Sequence, residues 1–442
     1  MSWNLRDSHL AEIKEAGQAA AAAGALSEAA AHFRRAIKFA PDDSSVYFGL
    51  SAVQHALGEY AAAAETKSQG IRVQPLVAAA LEFEGRTEAT LLVLKGAQGS
   101  RFTLNSEGKH RLSGGNFTLR YLIDRQRFRI FRFYLHDENL ASFAALPPFD
   151  LIVNTIADAD LEARPLRDAA AFCARSDAPV INAPDRVALT SRDGNVARLS
   201  QIEGLLCPKT VKISAEGGEP ARPLADLEAE GLRLPLLLRR SGTHTGRSLE
   251  RVTTTRAFGR YLSEAAGAEV YATEFIDLPR RGRSLRSLPF RYRRRLRVLF
   301  IDGAYYPATC HMDRHWNVHS KDRHNVMTRL PWMQAEEQAF IADWRAFVGP
   351  TAAAAVEAVF ETIGLDFCGI DFNLMPDGRL LLYEVNPTMR HSFDYVEPFP
   401  YLRPGLERIS AAFEAMVMRR AKKGADGGDA ARPPVEAKRR QS

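Results

Sequence analysis

Two carboxylates in the C-terminal part of the 442-residue chain are the side chains best suited to carry chemistry. Asp371 and Glu384 lie in GLDFCGIDFNLMPDGRLLLYEVNPTMR, residues 364–390, on either side of Asp377-Gly378. This dipeptide between two apolar-rich runs predicts a β-hairpin, because a two-residue type I′ turn needs positive φ at both central positions. A regular hairpin with that turn places Asp371 directly opposite Glu384, with Cβ atoms about 4.5 to 5.5 Å apart.

Two amides should share the faces of these carboxylates. Side chains alternate along a strand, so Asn373 is expected beside Asp371 and Asn386 beside Glu384. Opposed like charges in a sheet are unfavourable, and the neighbouring side chains are mostly Ile, Phe, Leu and Val, which offer no base. A hard cation would resolve the conflict, and Mg²⁺ held by carboxylates and phosphate oxygens is the usual solution. A three-residue loop with a bulge would change the register, and a solvated edge hairpin with unrelated acids is the alternative interpretation.

The same stretch resembles the metal-binding end of the ATP-grasp superfamily, the ligases akin to glutathione synthetase, D-alanine:D-alanine ligase and the RimK-type enzymes. The family motif is an Asp on one strand and Glu-x-Asn on the next. The resemblance implies that Asp371, Glu384 and Asn386 hold one or two Mg²⁺ ions, or Mn²⁺, that bridge the phosphates of ATP. It covers roughly residues 90–400 and implies an α/β (α+β) ATP-grasp fold after a pre-ATP-grasp α/β domain.

The segment LPLLLRRSGTHTGRSLERV, residues 234–252, reads as strand, glycine-bearing turn and strand. It is similar to the small lid that closes over the phosphates in the family. Gly242 and Gly246 would let backbone N–H groups reach phosphate oxygens. Arg239 stands where the family often has lysine; it keeps the charge, but a planar guanidinium is not equivalent to an ammonium. His244 is as consistent with a turn residue as with a phosphate donor.

Further nucleotide-binding residues follow from the resemblance. YATEFIDL, residues 271–278, is similar to the hinge on which adenine sits, with a buried structural strand as the alternative. RRLRVLFIDGAYYPA resembles the strand whose leading arginine, here Arg297, points into the site and stabilises transferred phosphate. Arg192 and Lys209 occupy places where basic residues contact phosphate. The hinge residues that would contact adenine and ribose are Glu274, Phe275, Ile276 and Asp277.

Two other clusters of polar residues were weighed as sites. Nine arginines lie in the segment 280–297. Apart from Arg297, they are interpreted as a solvated loop or a loop that faces an acidic substrate. RNA binding is disfavoured, because few aromatic residues lie between the arginines. His311, His315 and His319 lie four apart. On a helix the first and third would be about 12 Å apart, so one zinc ion with bonds of about 2.0 to 2.1 Å cannot take all three. We expect a polar loop near the acceptor pocket, with proton transfer as an alternative.

The first 80 residues contain an internal repeat. Pairs separated by 34 positions are Gly24 and Gly58, Ala29 and Ala63, and Pro41 and Pro75. Paired alanine-rich amphipathic helices with this period resemble the tetratricopeptide repeat, although Lys67 stands where the first copy has Phe33. Two repeats are fewer than the roughly three needed for a solenoid core, so the unit should pack on the rest of the chain, a second copy or a partner. A helical hairpin with a coincidental period is the alternative.

The domain organisation follows from these segments. We predict a helical repeat domain over residues 1–80, a pre-ATP-grasp domain over 81–188 and an ATP-grasp domain over 189–420, with a lid at about 205–275. Residues 421–442 have almost no large apolar side chain and are expected to form a disordered basic tail. Expected strands of the second domain are ATLLVLKGAQG, NFTLRYLI, FRIFRFYL, FDLIVNTIADAD and PVINAP, and a helix is expected over 165–175.

Composition limits the class of protein. With 46% hydrophobic and 25% charged residues, the chain is typical of a folded globular protein. It has neither an apolar run of about 18 residues nor a signal-peptide pattern, so a cytoplasmic location is expected. Four scattered cysteines without a CxxC pair predict neither zinc nor disulfides. The excess positive charge behind the net charge of +6 is concentrated in the segment 280–297 and at the end of the chain. This uneven distribution argues against nucleic acid as a partner.

These features together predict an ATP-dependent carboxylate-amine or carboxylate-thiol ligase that forms ADP and phosphate through an acyl phosphate. The repeats suggest a peptide or protein substrate or partner. The alternative is a nucleotide-binding adaptor with a silent ligase site, which the Arg239 substitution keeps open. A purely structural repeat protein would not account for the carboxylate hairpin. The identity of the acid and the amine, and the oligomeric state, do not follow from the sequence.

Overall fold

The computed structural model describes residues 2–79, 87–135, 146–215, 221–243, 246, 248–278, 292–318, 323–387 and 389–428. It is a mixed α/β structure with a helical N-terminal unit. The helices are α1 Ser2–Ala22, α2 Leu26–Phe39, α3 Ser44–Ala56, α4 Tyr60–Val73, α5 Ala163–Cys173, α6 Pro184–Ala188, α7 Arg192–Leu199, α8 Ala221–Ala229, α9 Thr255–Glu264, α10 Arg323–Met327, α11 Pro331–Ala342, α12 Trp344–Val348, α13 Pro350–Ile363 and α14 Arg403–Gly428.

Within the described ranges the strands form three larger sheets and a separate two-stranded sheet, β3–β4. They are β1 Leu76–Ala78, β2 Ala89–Gly96, β3 Arg101–Leu104, β4 His110–Ser113, β5 Phe128–Leu135, β6 Leu151–Asn154, β7 Val180–Ile181, β8 Leu205–Leu206, β9 Thr210–Ser214, β10 Leu236–Arg240, β11 Glu250–Val252, β12 Glu269–Glu274, β13 Arg293–Ile301, β14 Ala304–Asp313, β15 Phe367–Leu374 and β16 Leu380–Asn386.

The helical unit, α1 to α4, packs on the rest of the chain, one of the three arrangements considered from the sequence. Its repeated glycines have a structural cause: Gly24 and Gly58 adopt φ of +80° and +84° in the turns after α1 and α3, where a residue with a Cβ is strained. Helix α3 lies against the β3–β4 hairpin, and the rings of Phe48 and Phe102 stack at 4.2 Å. Membership of the tetratricopeptide family stays a prediction.

The first sheet has the order β1-β5-β2-β6-β7, parallel except for β1. The predicted helix over 165–175 is confirmed as α5. The predicted strand NFTLRYLI is wrong: apart from a single bridge at Asn116, residues 117–119 are irregular and residues 120–123 turn, with Leu122 and Ile123 donating to the Leu119 carbonyl. The apolar side chains of this run are nevertheless buried, so burial rather than strand formation explains their composition.

The second sheet, β11-β10-β12-β9, is antiparallel and forms a separate lobe with α8 and α9, since its apolar side chains make a core of their own. We call this lobe the lid. The third sheet has the order β14-β13-β15-β16-β8. Helix α14 contacts strands of both the first and the third sheets, and these two sheets share one continuous core.

Helix α14 continues to Gly428, within the segment 421–442 for which the sequence predicts disorder, and residues 429–442 lie outside the described part. None of the helices in the described ranges combines the length and the apolar character needed to cross a bilayer.

Candidate active site

The β15–β16 hairpin brings the two predicted carboxylates face to face. Asp371 pairs with Glu384 in the strand register. The predicted two-residue turn is wrong, because the hairpin closes at Met375 and Arg379 around a three-residue loop, in which Gly378 alone has positive φ, at +87°. This loop shifts the register by one residue. A bulge opposite Asp371 shifts it back, so the predicted pairing is present for a different reason.

Asp371 is bound by an arginine from the neighbouring strand. Arg297 lies opposite Asp371 on β13, and its Nε and Nη2 donate to the two carboxylate oxygens at 2.7 and 2.9 Å. Burial alone would lower the pKa of Arg297, but the Asp371 charge and its hydrogen bonds outweigh burial and raise that pKa. Arg295 adds a second positive charge, with its Nε 3.8 Å from the carboxylate.

Glu384 is bound by an arginine from a helix start. Arg192 is the first residue of α7, and its guanidinium donates to Glu384 Oε1. The sequence neighbours of the two carboxylates offer no base, but Arg297 and Arg192, which the sequence predicts as phosphate contacts, bind them in the structure. The missed signal is the alternation of arginine in RYRRRLR: positions 293, 295 and 297 of β13 point to the same side of the sheet as Asp371.

The two amides behave differently. Asn373 does not join Asp371, because its Nδ2 donates to the Arg294 carbonyl at 2.9 Å and its Oδ1 accepts from the Leu374 N–H at 2.8 Å. Asn386 pairs with Gly369 on β15, two residues beyond Glu384 and on the same face. The candidate metal ligands are thus two carboxylates and one amide.

This donor set fits a hard divalent cation. In the described ranges no three His, Cys, Asp or Glu side chains come together as a metal site. Mg²⁺ is usually held by one or two carboxylates, with waters and phosphate oxygens completing the shell. Asp371, Glu384 and Asn386 would offer such oxygens, the two carboxylates in exchange for their contacts with Arg297 and Arg192.

A cavity of about 190 Å³ opens beside the carboxylates. Both carboxylates line it, so they reach the same space. Its walls come from the third sheet, the lid, α7 and the loop after β14. Apolar wall residues include Leu237, Leu249, Ile276, Trp316, Val318 and Leu381, and the basic ones are Arg192, Arg239, Arg293 and Arg295.

Three of the four predicted hinge residues line this cavity: Glu274, Phe275 and Ile276. The Phe275 ring lies 4.3 Å below the guanidinium of Arg251 and meets Trp316 edge-on at 6.0 Å. Asp277 instead accepts a hydrogen bond from Arg293 at 2.7 Å. The hinge therefore presents Phe275 and Ile276 as an apolar wall, with the carboxylate of Glu274 at one end.

Arg239 is a lid residue that faces the cavity. Its Nε is buried and has no hydrogen-bond partner in the described part of the chain. Burial, reinforced by the nearby charge of Arg192, lowers the pKa of Arg239 to about 10. A buried N–H of a guanidinium that lacks an acceptor is costly, and Arg239 faces the cavity, so it is well placed to bind an anion.

The remaining lid predictions lie outside the cavity wall. Gly242 and Gly246 have φ of +68° and +71°, so both turns need glycine. A Cβ on Gly242 would come within 2.4 Å of Leu161. Lys209 directs its ammonium to the Glu230 carbonyl. Sequence reasoning missed Lys212, three residues along, which binds Asp160 at 2.9 Å.

The histidine run is not helical. His311 is on β14 and is buried, with Nδ1 3.4 Å from Arg295 Nη2. His315 is exposed in the following bend. His319 and His244 lie outside the described residues, as do positions 279–291 of the arginine-rich segment.

Comparison with known proteins identifies likenesses in fold only. No protein-family model and no curated protein matches the chain. Similar solved structures include a D-alanine-D-alanine ligase from Coxiella burnetii, with 9% identity, 76% of this chain and 97% of that chain covered, and a TM-score of 0.41. The D-alanyl-alanine synthetase A from Vibrio cholerae has 13% identity, 77% and 100% coverage and a TM-score of 0.42. A RimK domain ATP-grasp protein from Sphaerobacter thermophilus has 15% identity, 75% and 100% coverage and a TM-score of 0.42. Identities and scores at this level do not assign a family.

Proposed function

We propose that the protein is an ATP-dependent carboxylate-amine or carboxylate-thiol ligase of the ATP-grasp type. The observation that carries the proposal is the Asp371–Glu384 pair, which is directly opposed on adjacent strands and lines a cavity together with the apolar hinge residues Phe275 and Ile276. Arginine side chains surround the same space. A nucleoside triphosphate combines an apolar base, which suits the hinge, with a polyanion, which suits the arginines.

The charges of the site support a phosphate ligand. Arg192, Arg239, Arg293 and Arg295 line the cavity together with Glu274, Asp371 and Glu384, so its positive charges exceed its negative ones. Guanidinium groups bind phosphate oxygens through paired N–H donors. Mg²⁺, or Mn²⁺, bound by Asp371, Glu384 and Asn386 would supply further positive charge to offset the phosphate oxygens.

The chain's own residues would then perform three tasks. The hinge holds the base and excludes water from it. Arg239 and Arg192 orient the phosphates, and Arg297, the proposed catalytic residue, donates to the transferred phosphoryl oxygens, which stabilises the charge that develops there. Positioning and charge stabilisation account for most of the catalysis of phosphoryl transfer.

The proposed reaction has two steps. A carboxylate oxygen of the acid substrate attacks the γ-phosphorus of ATP, the bond to the β–γ bridging oxygen breaks, and ADP leaves. An amine or thiol then attacks the acyl carbon, the bond to the phosphate oxygen breaks, and phosphate leaves while the nucleophile loses a proton. Activation is needed because the oxygen of a free carboxylate is a poor leaving group. The helical unit suggests a peptide or protein among the substrates.

A second candidate is a nucleotide-binding adaptor without ligase activity. The observation in its favour is that arginines occupy both carboxylates, so a resting site with no divalent ion is electrostatically satisfied. Arg239 in place of a lysine points the same way. Both candidates require nucleotide binding, and only the ligase requires turnover.

ADP release with panels of acids and amines separates the two candidates. For the ligase we expect ADP formation that depends on both substrates and falls at least a hundredfold in Glu384→Ala, a typical loss for an electrostatic group at a reacting centre. The matched control is Glu357→Ala, since Glu357 forms an ion pair with Arg345 on an exposed surface. Nucleotide binding without ADP formation by any substrate pair would favour the adaptor.

A further inference from the structure

The buried lysine of the helical unit has an unusual position. Lys67 occupies the place in the second repeat that Phe33 occupies in the first, 34 residues earlier, and only 6% of it is exposed. Phe33 packs between helices, against Gly17 and Gly49. An ammonium cannot replace an aromatic ring in such a place without hydrogen-bond partners, because burying an unpaired charge is costly.

The partners of Lys67 all belong to one turn of the α/β domain. Its Nζ donates to the carbonyls of Ala97, Gln98 and Ser100 at 2.6, 3.3 and 2.7 Å. This turn, residues 97–100, follows β2 directly and lies at the carboxyl end of the parallel strands. The helical unit thus binds the carbonyl groups of this turn through Lys67.

A carboxylate holds the same turn from its other side. Glu162 is fully buried and accepts the N–H groups of Gln98 and Gly99 at 2.9 and 3.2 Å. Glycine is required around it, because a Cβ on Gly96 or Gly115 would come within 2.6 Å of its side chain. The turn is therefore fixed between a cation on its carbonyls and an anion on its amides.

The two residues before Glu162 contact the lid. Asp160 accepts hydrogen bonds from Lys212 at 2.9 Å and from the Tyr271 hydroxyl at 2.7 Å; Lys212 lies on β9 at the edge of the lid sheet, and Tyr271 lies opposite it on β12. Leu161 packs on Gly242 in the lid turn. Three successive side chains, residues 160–162, therefore link the turn to two places on the lid.

We propose that Lys67 is a positioning residue for the lid, acting from the helical unit through the turn 97–100 and residues 160–162. The lid carries Arg239 and part of the cavity wall, so its placement sets how tightly the cavity binds its ligand. The effect on nucleotide affinity rests on the proposed function, whereas the effect on lid placement does not. The helical unit is then part of the ligand site's support rather than an independent module.

The test compares variants of the full-length protein by hydrogen exchange and by calorimetric titration with Mg²⁺-ATP. In Lys67→Met we expect faster amide exchange in 97–100 and in 240–243, and a roughly tenfold higher dissociation constant, within the usual range of coupling between sites. Lys67→Arg should restore part of both properties. The matched control is Lys14→Met, because Lys14 binds Asp43 and Ser45 within the helical unit at 3.0 and 2.7 Å.

The proposal fails if Lys67→Met and Lys14→Met give the same exchange pattern in the lid, since Lys67 would then contribute to stability alone. If Lys67→Met does not fold, Leu161→Ala tests the other end of the path, and unchanged exchange in 240–243 would overturn the proposal. A wild-type protein that does not bind ATP would contradict the proposed function, but the exchange data would still decide the role of Lys67.

Discussion

The side chain of Arg239 is expected to destabilise the ligand-free protein. Its Nε is buried without a partner among the described residues, whereas Arg297 and Arg192 are each bound to a carboxylate. Groups of this kind are retained where a ligand satisfies them, and their removal commonly stabilises the free protein. Arg239 and its chain neighbour Arg240 point to opposite faces of β10, which provides a matched pair of substitutions.

We expect Arg239→Met to raise the thermal unfolding midpoint of the free protein and to weaken ATP binding at least tenfold, because a hydrogen bond to a charged group contributes about 1.5 to 3 kcal/mol. Arg240→Met should do neither, because Arg240 donates to the Glu264 carbonyl on the lid surface. Scanning fluorimetry with and without Mg²⁺-ATP measures both effects. A lower midpoint with unchanged ATP binding in Arg239→Met would show that the guanidinium is structural.

The residues of the site were only partly predictable. Asp371 and Glu384 could be found because a hairpin is local in sequence and its turn residues are distinctive. Arg297 and Arg192 were predicted as site residues from the family resemblance, but their pairing with these carboxylates was not, because they precede them by more than 70 and 190 positions and become neighbours only in the folded chain. Lys209 was named from the family resemblance, but in the structure its ammonium is directed to the Glu230 carbonyl.

At the scale of elements, the β15–β16 hairpin contains a three-residue loop and a β-bulge whose effects on the strand register cancel. The three-residue loop displaces one strand by a residue, and the bulge opposite Asp371 restores the pairing. The sequence predicted the turn from Asp377-Gly378, but the Asp377 carboxylate accepts the N–H of Arg379 at 3.1 Å, and only Gly378 takes positive φ. Side-chain bonding within the loop therefore selected a turn that the dipeptide pattern does not specify.

Gly378 and Gly405 should respond in opposite directions to the same substitution. Gly378→Ala places a Cβ at φ +87° and should lower the unfolding midpoint, since the left-handed region costs a non-glycine residue about 1 to 2 kcal/mol. Gly405→Ala in α14 has room, with the nearest atom 3.8 Å away, and should raise the midpoint through a gain of about 0.5 to 1 kcal/mol. Calorimetry of both variants checks this, and equal shifts would contradict the assigned loop geometry.

At the scale of the whole molecule, the helical unit and the α/β domain meet at an aromatic contact that includes a histidine. The His110 ring lies edge-on to Phe48 and Phe102, with centroids 5.8 and 5.6 Å away. The 34-residue repeat predicted that this unit needs a packing partner. It could not identify the β3–β4 hairpin as that partner, because nothing local links α3 to strands some 50 residues later.

This contact should be sensitive to acid. Burial, followed by the charges of Lys14 and Arg132, lowers the pKa of His110 to about 4, while the unfolded chain titrates near 6.5. The unfolded state therefore binds more protons between these values, and stability falls as the pH drops through this window. In His110→Leu the loss of thermal midpoint between about pH 7 and about pH 5 should be smaller than in the wild type.

The control for this substitution is His324→Gln, since His324 is exposed on α10 and lies outside the contact between the helical unit and the α/β domain. His391 acts in the same direction as His110, because burial lowers its pKa to about 4, so part of the acid sensitivity should persist in His110→Leu. An unaltered profile in His110→Leu would place the acid-sensitive group elsewhere.

The late position of helix α14 in the chain delays completion of the hydrophobic core during synthesis. Its Phe413 meets Phe117 beside the first sheet and Phe367 on β15 at centroid distances of 6.5 and 5.0 Å, so it seals two layers at once. Helix α14 follows the strands of both sheets in the chain, so a ribosome releases it only after those strands have emerged. Until then the apolar faces of the first and third sheets that α14 covers stay exposed. Exposed apolar surface of this kind on a nascent chain is what chaperones bind.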